Sequence, residues 1–147
     1  MPSDLLMTGA EDLIEVDIYY KARRNESGFR SHTILSEDEG KKAMEAEDEG
    51  VDVLSTKWSA QTWQLNNSIM KESTNYNKIS GNQDVDWTAY QNKMIQYCLR
   101  EWNVTLPDGT PVPPTVDNVG MMPANIVASL IKKYDASMKV DEEEKKE

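Results

Sequence analysis

The spacing of hydrophobic positions changes along this chain, and the changes mark its elements. In residues 13–22, Ile14, Val16 and Ile18 alternate with Glu15 and Asp17, a period of two that predicts a half-buried strand. Asn25-Glu26-Ser27-Gly28 is a turn signal, and residues 29–35 can return as a second strand. Residues 11–36 therefore read as a β-hairpin, which is marginal alone and needs something to pack on. Periodicity then fails over residues 36–52, where eight acids face two lysines and apolar side chains are few. That composition predicts a solvated acidic connector, with transient helix over residues 41–47, and an acidic patch for a basic partner as the alternative.

From Trp58 the spacing turns helical. Trp58, Trp63, Leu65, Ile69 and Met70 predict a helix over residues 58–72 capped by Ser55 or Thr56. Residues 73–84, rich in Asn, Ser and Gly, predict a loop. The clearest stripe follows: Asp86 as N-cap, then Trp87, Tyr90, Met94, Ile95, Cys98, Leu99 and Trp102 on one helical face, with Asn103 as the stop. Pro107-Asp108-Gly109 is a turn, and Pro111, Pro113 and Pro114 force extended backbone. Thr115 caps a single helical turn reaching Val119. Pro123 opens a final helix whose apolar face is Ile126, Val127, Leu130, Ile131 and Tyr134, with Lys132 and Lys133 near its C-terminal end.

The expected fold is α+β and mostly α: an N-terminal β-hairpin followed by a small helical domain of three to four helices. Its parts are a loose leader (1–10), the hairpin (11–36), an acidic connector (37–54), the helical domain (55–135) and a disordered charged tail (136–147). Trp87, Trp102, Leu99, Ile126 and Leu130 are the expected structural core.

Charge narrows the partners. The chain has 147 residues, 26 of them acidic against 16 basic, for a net charge of -10, so phosphate-rich nucleic acid is disfavoured and a basic protein fits better. The apolar fraction of 38% and mean hydropathy of -0.69 predict a lean core. The single cysteine, Cys98, rules out an internal disulfide. No stretch approaches the roughly 20 apolar residues of a membrane span, and residues 1–13 lack a signal-peptide pattern.

Catalytic chemistry finds no foothold. His32 is the only histidine and has no cysteine near it in sequence, which leaves no metal-ligand set and no paired general base. Cys98 lies on an apolar stripe, where a thiol is inert. Asp84 and Asp86 suggest a calcium loop, but the positions that need glycine and glutamate hold Ala89 and Ile95. Gly109 is isolated, so no phosphate-cradling loop exists, and no G-x-S-x-G elbow occurs. The expectation is a protein with no catalytic residues, no metal and no cofactor.

Aromatic and thioether side chains are the chain's asset. Trp58, Trp63, Trp87 and Trp102 all fall within residues 58–102. They serve either as core or as anchors for a partner, with Trp63 evenly placed between the two roles. Eight methionines suit a deformable contact surface, and Met121 and Met122 are expected at the surface.

The order of short patterns points to a family. Lys57-Trp58-x-x-x-Thr62-Trp63-x-x-Asn66-Asn67 is followed by an Asp86-led helix ending Leu99-x-x-Trp102-Asn103. Asp108-Gly109-x-Pro111-Val112-Pro113 comes next, then Asp117-Asn118-Val119-x-x-Met122-Pro123 and a helix ending at Tyr134. Over residues 57–134 this resembles the tail assembly chaperones of long-tailed bacteriophages. The chain departs from that family's usual pattern at Thr110, where lysine is common, at Pro114, and at Met122, where leucine is usual.

The resemblance implies a non-enzymatic late protein that acts in virion morphogenesis. It would bind the long, helical tape measure protein and help recruit tail tube protein in the host cytoplasm, then be absent from the mature virion. Contact with nucleic acid or membrane is not implied, and self-association stays open. Trp63, Ile69, Met70, Met121 and Met122 are the expected protein-binding residues, since a helix-in-groove contact uses apolar anchors at helical spacing. The alternative is a structural virion protein, such as a minor tail or head–tail connector component. A small enzyme or regulatory binding module is a third reading.

Overall fold

The computed structural model describes residues 12–76 and 78–138. The expected leader and residues 139–147 of the expected tail lie outside them. Strands β1 (Leu13–Arg24) and β2 (Arg30–Leu35) pair antiparallel, from Tyr19 opposite Leu35 to Arg24 opposite Arg30. Gly28 turns the chain between them at φ 86°, a conformation glycine reaches without Cβ strain.

The hairpin is not a separate unit. Strand β3 (Val51–Ser59) pairs along the other edge of β1, from Leu13 opposite Ser59 to Lys21 opposite Val51, and β6 (Leu99–Trp102) pairs with β3. The resulting antiparallel sheet has the order β2-β1-β3-β6. The expected mostly helical fold is thus wrong: helix takes 40% and strand 31% of the described residues, a mixed α/β fold with five helices.

The acidic connector is one source of that error. Residues 37–45 form helix α1 (Glu37–Glu45), and β3 begins at Val51. The acids there occupy positions a helix favours. Ser36 caps the start by accepting from Glu39 N, while Glu37, Asp38 and Glu39 sit in the first turn beside the positive end of the dipole. Lys41 pairs with Glu37 at 2.9 Å, one turn away. Gly40 lets α1 lie against Tyr19 on the outer face of β1, since a Cβ there would stand 2.2 Å from Tyr19 Cβ.

The helix expected over residues 58–72 is also corrected. Trp58 belongs to β3, whose inward positions Leu54, Thr56 and Trp58 follow period two. Helix α2 (Trp63–Glu72) starts after Thr62, whose side chain accepts from Leu65 N, so Thr62 and not Ser55 or Thr56 is the cap. The expected loop at 73–84 holds β4 (Thr74–Tyr76) and most of β5 (Gln83–Val85), which pair as a two-stranded ribbon. Its base is closed by Asp86 N donating to Ser73 O at 2.7 Å.

Helix α3 (Trp87–Cys98) is capped by Asp86, but it ends four residues short of Trp102. Leu99 and Trp102 lie on β6, and a bulge explains why they mimicked helical spacing. Trp102 faces Thr56, Glu101 faces Lys57, and Leu99 faces Trp58, so Arg100 is the extra residue. In a regular strand, residues three apart point to opposite faces. The bulge rephases Leu99 and Trp102 onto the same one.

A short helix α4 (Val116–Val119) capped by Thr115 precedes α5 (Ala124–Met138). Helix α5 covers the inner face of the sheet and continues into residues 136–138, which were expected in the disordered tail. The core joins Val16 and Ile18 of β1 with Leu54 and Trp58 of β3, Met94, Ile95 and Cys98 of α3, and Ile126, Leu130 and Tyr134 of α5. One core therefore spans the segments expected as hairpin and helical domain.

The stretch that carries the family resemblance is a set of interlocked turns. Trp102 Nε1 donates to Val112 O, and Asn118 Nδ2 donates to Pro113 O at 2.9 Å. Gly109, at φ 91°, closes its turn by donating to Leu106 O at 2.8 Å. Among these residues the shared pattern specifies shape.

Candidate functional site: an exposed aromatic surface

Two tryptophans stand out of the fold in the same way. Trp63 is the first residue of α2 and Trp87 the first of α3, each directly after its capping side chain. First-turn residues project beyond the part of a helix that meets the core, and both indoles are exposed, Trp63 by 81% and Trp87 by 61%. Exposed indoles are candidate anchors for a partner, because Trp is enriched among residues that carry binding energy.

Tyr90 braces Trp87 and reaches across to α2. Its ring meets Trp87 edge-on, with centroids 5.6 Å apart and planes at 72°. Its hydroxyl lies 3.2 Å from Asn66 Oδ1 and 3.5 Å from Gln61 Oε1. Asn66 is three residues after Trp63, on the same side of α2. Tyr90 thus ties the Trp87 end of α3 to Asn66 of α2. Lys93 and Tyr97 of α3 reach Glu72 of α2 and strengthen the junction.

A polar layer lies beneath. Tyr134 donates its hydroxyl proton to Ser59 O at 2.6 Å, and Ser59 Oγ reaches Cys98 O at 3.4 Å. Gln61 Nε2 is buried beside this group without a hydrogen-bond partner. Burial raises the Cys98 thiol above its ordinary pKa, outweighing the lowering influence of neighbouring polar groups, Tyr134 first among them. Burial first, then the neighbouring Cys98, also raises the Tyr134 phenol. Both groups stay protonated at neutral pH, which makes this layer structural and the thiol a poor nucleophile.

The residues expected to bind a partner do not form one surface. Trp63 and Met121 are exposed, Met121 by 87%, while Met70 and Met122 are half-buried. Ile69 is completely buried, which removes it from any contact surface, because it lies on the inward side of α2. Met122 lines two hollows, one beside Tyr20 and His32 and one between α3 and α5, and neither includes a residue of α2.

Among the expected core residues, Leu99, Ile126 and Leu130 are buried and Trp102 is half-buried against the core. Trp87 is corrected to a surface residue. Its stripe gave the right direction around the helix axis, but its place in the first turn carries it past the core. Tyr90 was missed as a site residue, although a tyrosine one turn after a capped tryptophan was visible in the sequence.

Asp84 faces Asn75 across the small ribbon and Asp86 caps α3. Among the described residues no group of three or more His, Cys, Asp or Glu is placed to hold a metal ion. No described helix is long and apolar enough to cross a membrane. Comparison with family models, with curated proteins and with solved structures gave no match for this chain.

Proposed function

We propose that this chain is a phage tail assembly chaperone. It binds the apolar seam of a tape measure protein, helps recruit tail tube subunits in the infected cell, and leaves before the particle is finished. The observation that carries the reading is the pair of exposed tryptophans, Trp63 and Trp87, each at the start of a helix and offered by a chain with no catalytic pattern in its sequence.

The local charge suits that client. Residues 61–98 contain Lys71, Lys78 and Lys93 against Glu72, Asp84 and Asp86, three against three, so none of the chain's net charge of -10 arises there. A neutral aromatic surface accepts an apolar helical seam without charge cost, while the acids elsewhere keep the free protein apart from its copies. Rigid indoles bring large contact area at small entropic cost.

Co-expression of the chain with its tape measure protein tests the reading. Wild type is expected to co-purify with it, and Trp63→Ala combined with Trp87→Ala is expected to lose it. Mass spectrometry of mature particles should find the chain absent. Its presence there in fixed copy number would overturn the chaperone role and identify a structural virion component.

A further inference from the structure

At the far end of β3 from the aromatic surface lies a cavity of about 250 Å³, lined by Tyr20, His32, Asp52, Leu54, Met122 and Ile126 among others. Ser59 and Asp52 are seven residues apart on the strand, about 23 Å in extended backbone, so the two features are distinct. The cavity forms because Tyr20 and Asp52 are register partners on the inner face, beyond the last buried pair, Ile18 and Leu54. His32 joins them from β2, its ring centroid 5.9 Å from that of Tyr20 and tilted by 52°. Asn125, near the start of α5, fixes this corner by donating to His32 O at 2.7 Å.

The chemistry of the lining is asymmetric. Asp52 is its only acid and no lysine or arginine lines it. One oxygen of Asp52 accepts from Val53 N at 2.8 Å, which orients the carboxylate and leaves its second oxygen for another donor. Burial, and then the charge of Asp52, hold the Tyr20 phenol above its ordinary pKa, so a neutral aromatic ring faces the carboxylate. Leu54, Met122 and Ile126 give an apolar wall. The volume is smaller than the roughly 300–1,000 Å³ of sites for drug-sized ligands, and it matches one long side chain.

We propose that this cavity is an anchoring site for one arginine or lysine side chain of a partner protein. The cationic head pairs with the Asp52 carboxylate and sits against the Tyr20 ring, while the aliphatic stem lies along Leu54, Met122 and Ile126. The acidic surplus of residues 36–52, eight acids against two lysines, draws a cation to this end of the molecule. The site stands whether or not the client is a tape measure protein, because it shares no residue with the aromatic surface.

The test uses the full chain and the proton resonances of His32, which are unambiguous because the chain has one histidine. A capped pentapeptide with a central arginine among glycines is expected to shift them saturably, and the same peptide with norleucine is not. Asp52→Asn, whose amide oxygen can still accept from Val53 N, is expected to weaken binding at least tenfold with the backbone spectrum otherwise preserved. Unsaturable shifts, equal shifts from the norleucine peptide, or unchanged affinity in Asp52→Asn would each overturn the proposal. Loss of client co-purification in the tryptophan variants with His32 shifts intact would separate the two surfaces.

Discussion

The indole of Trp58 stacks on the phenol ring of Tyr134, with centroids 4.5 Å apart and planes 20° from parallel. The pair joins the four-stranded sheet to α5, and each partner has its polar atom satisfied. Trp58 Nε1 donates to Thr56 Oγ1 at 2.8 Å, and Thr56 Oγ1 donates to Val16 O at 2.6 Å. Trp58→Ala is expected to cost about 3–5 kcal/mol, as for other large-to-small core changes. Tyr134→Phe, which leaves Ser59 O without its donor, is expected to cost about 1–3 kcal/mol. Urea unfolding monitored by circular dichroism gives both values, and a Trp58→Ala protein as stable as wild type would remove the stack from the centre of the fold.

The same phenol sets a pH response. The Tyr134 pKa is raised in the folded state, chiefly by burial, so the folded protein holds that proton more tightly than the unfolded chain does. Its contribution is fully present below the ordinary phenol pKa of about 10 and is lost as pH rises above it, at up to about 1.4 kcal/mol per pH unit. Tyr134→Phe is expected to flatten the decline in stability between pH 10 and 11. A decline equally steep in both proteins would assign it to other groups, the raised Cys98 and Tyr20 first among them.

Gly40→Ala in α1 is expected to destabilise although alanine is the better helix former. The propensity gain is about 1 kcal/mol. Against it stands a Cβ placed 2.2 Å from Tyr19 Cβ, an atom next to the backbone that cannot swing away. Overpacking of this kind costs about 1–3 kcal/mol and here exceeds the gain. A raised melting temperature for Gly40→Ala would show that α1 does not rest on β1.

The exposed tryptophans should behave unlike Trp58. Trp63→Ala is expected to move stability by no more than about 0.5 kcal/mol, as for surface sites generally. Trp87→Ala, which also loses its edge contact with Tyr90, should cost no more than about 1.5 kcal/mol. Iodide quenching of fluorescence should fall in both variants relative to wild type. Unfolding caused by either substitution would make these indoles core residues after all.

Cys98 is completely buried and its thiol is held protonated. Thiol-specific reagents should label it only when the chain unfolds, so the labelling rate should track urea concentration. Native-state labelling as fast as that of a free cysteine would show that α3 opens readily.

What the sequence revealed depended on whether a pattern had one cause. The alternation of Ile14, Val16 and Ile18 has one, and β1 lies where it indicated. The spacing of Leu99 and Trp102 has two, a helix turn or a bulged strand, and only the pairing with β3 decides between them. The acids of residues 37–39 read as disordering by composition, yet their order after Ser36 suits the start of a helix. Trp87 shows the limit for the site: periodicity gives an angle around the helix, and exposure depends on where the neighbouring elements end.

Helix α5 is the last described element, and it covers the inner face of a sheet whose central strand is near the start of the chain. Lys133 bonds to Asp17 O across 116 residues. During synthesis at about 5–20 residues per second, Trp58 emerges roughly 4–15 s before Tyr134. For that interval the nascent chain bears an apolar sheet face without α5 to cover it. A protein proposed to shield the seam of another thus begins life with one of its own, and is itself a candidate client for general folding factors until α5 leaves the ribosome.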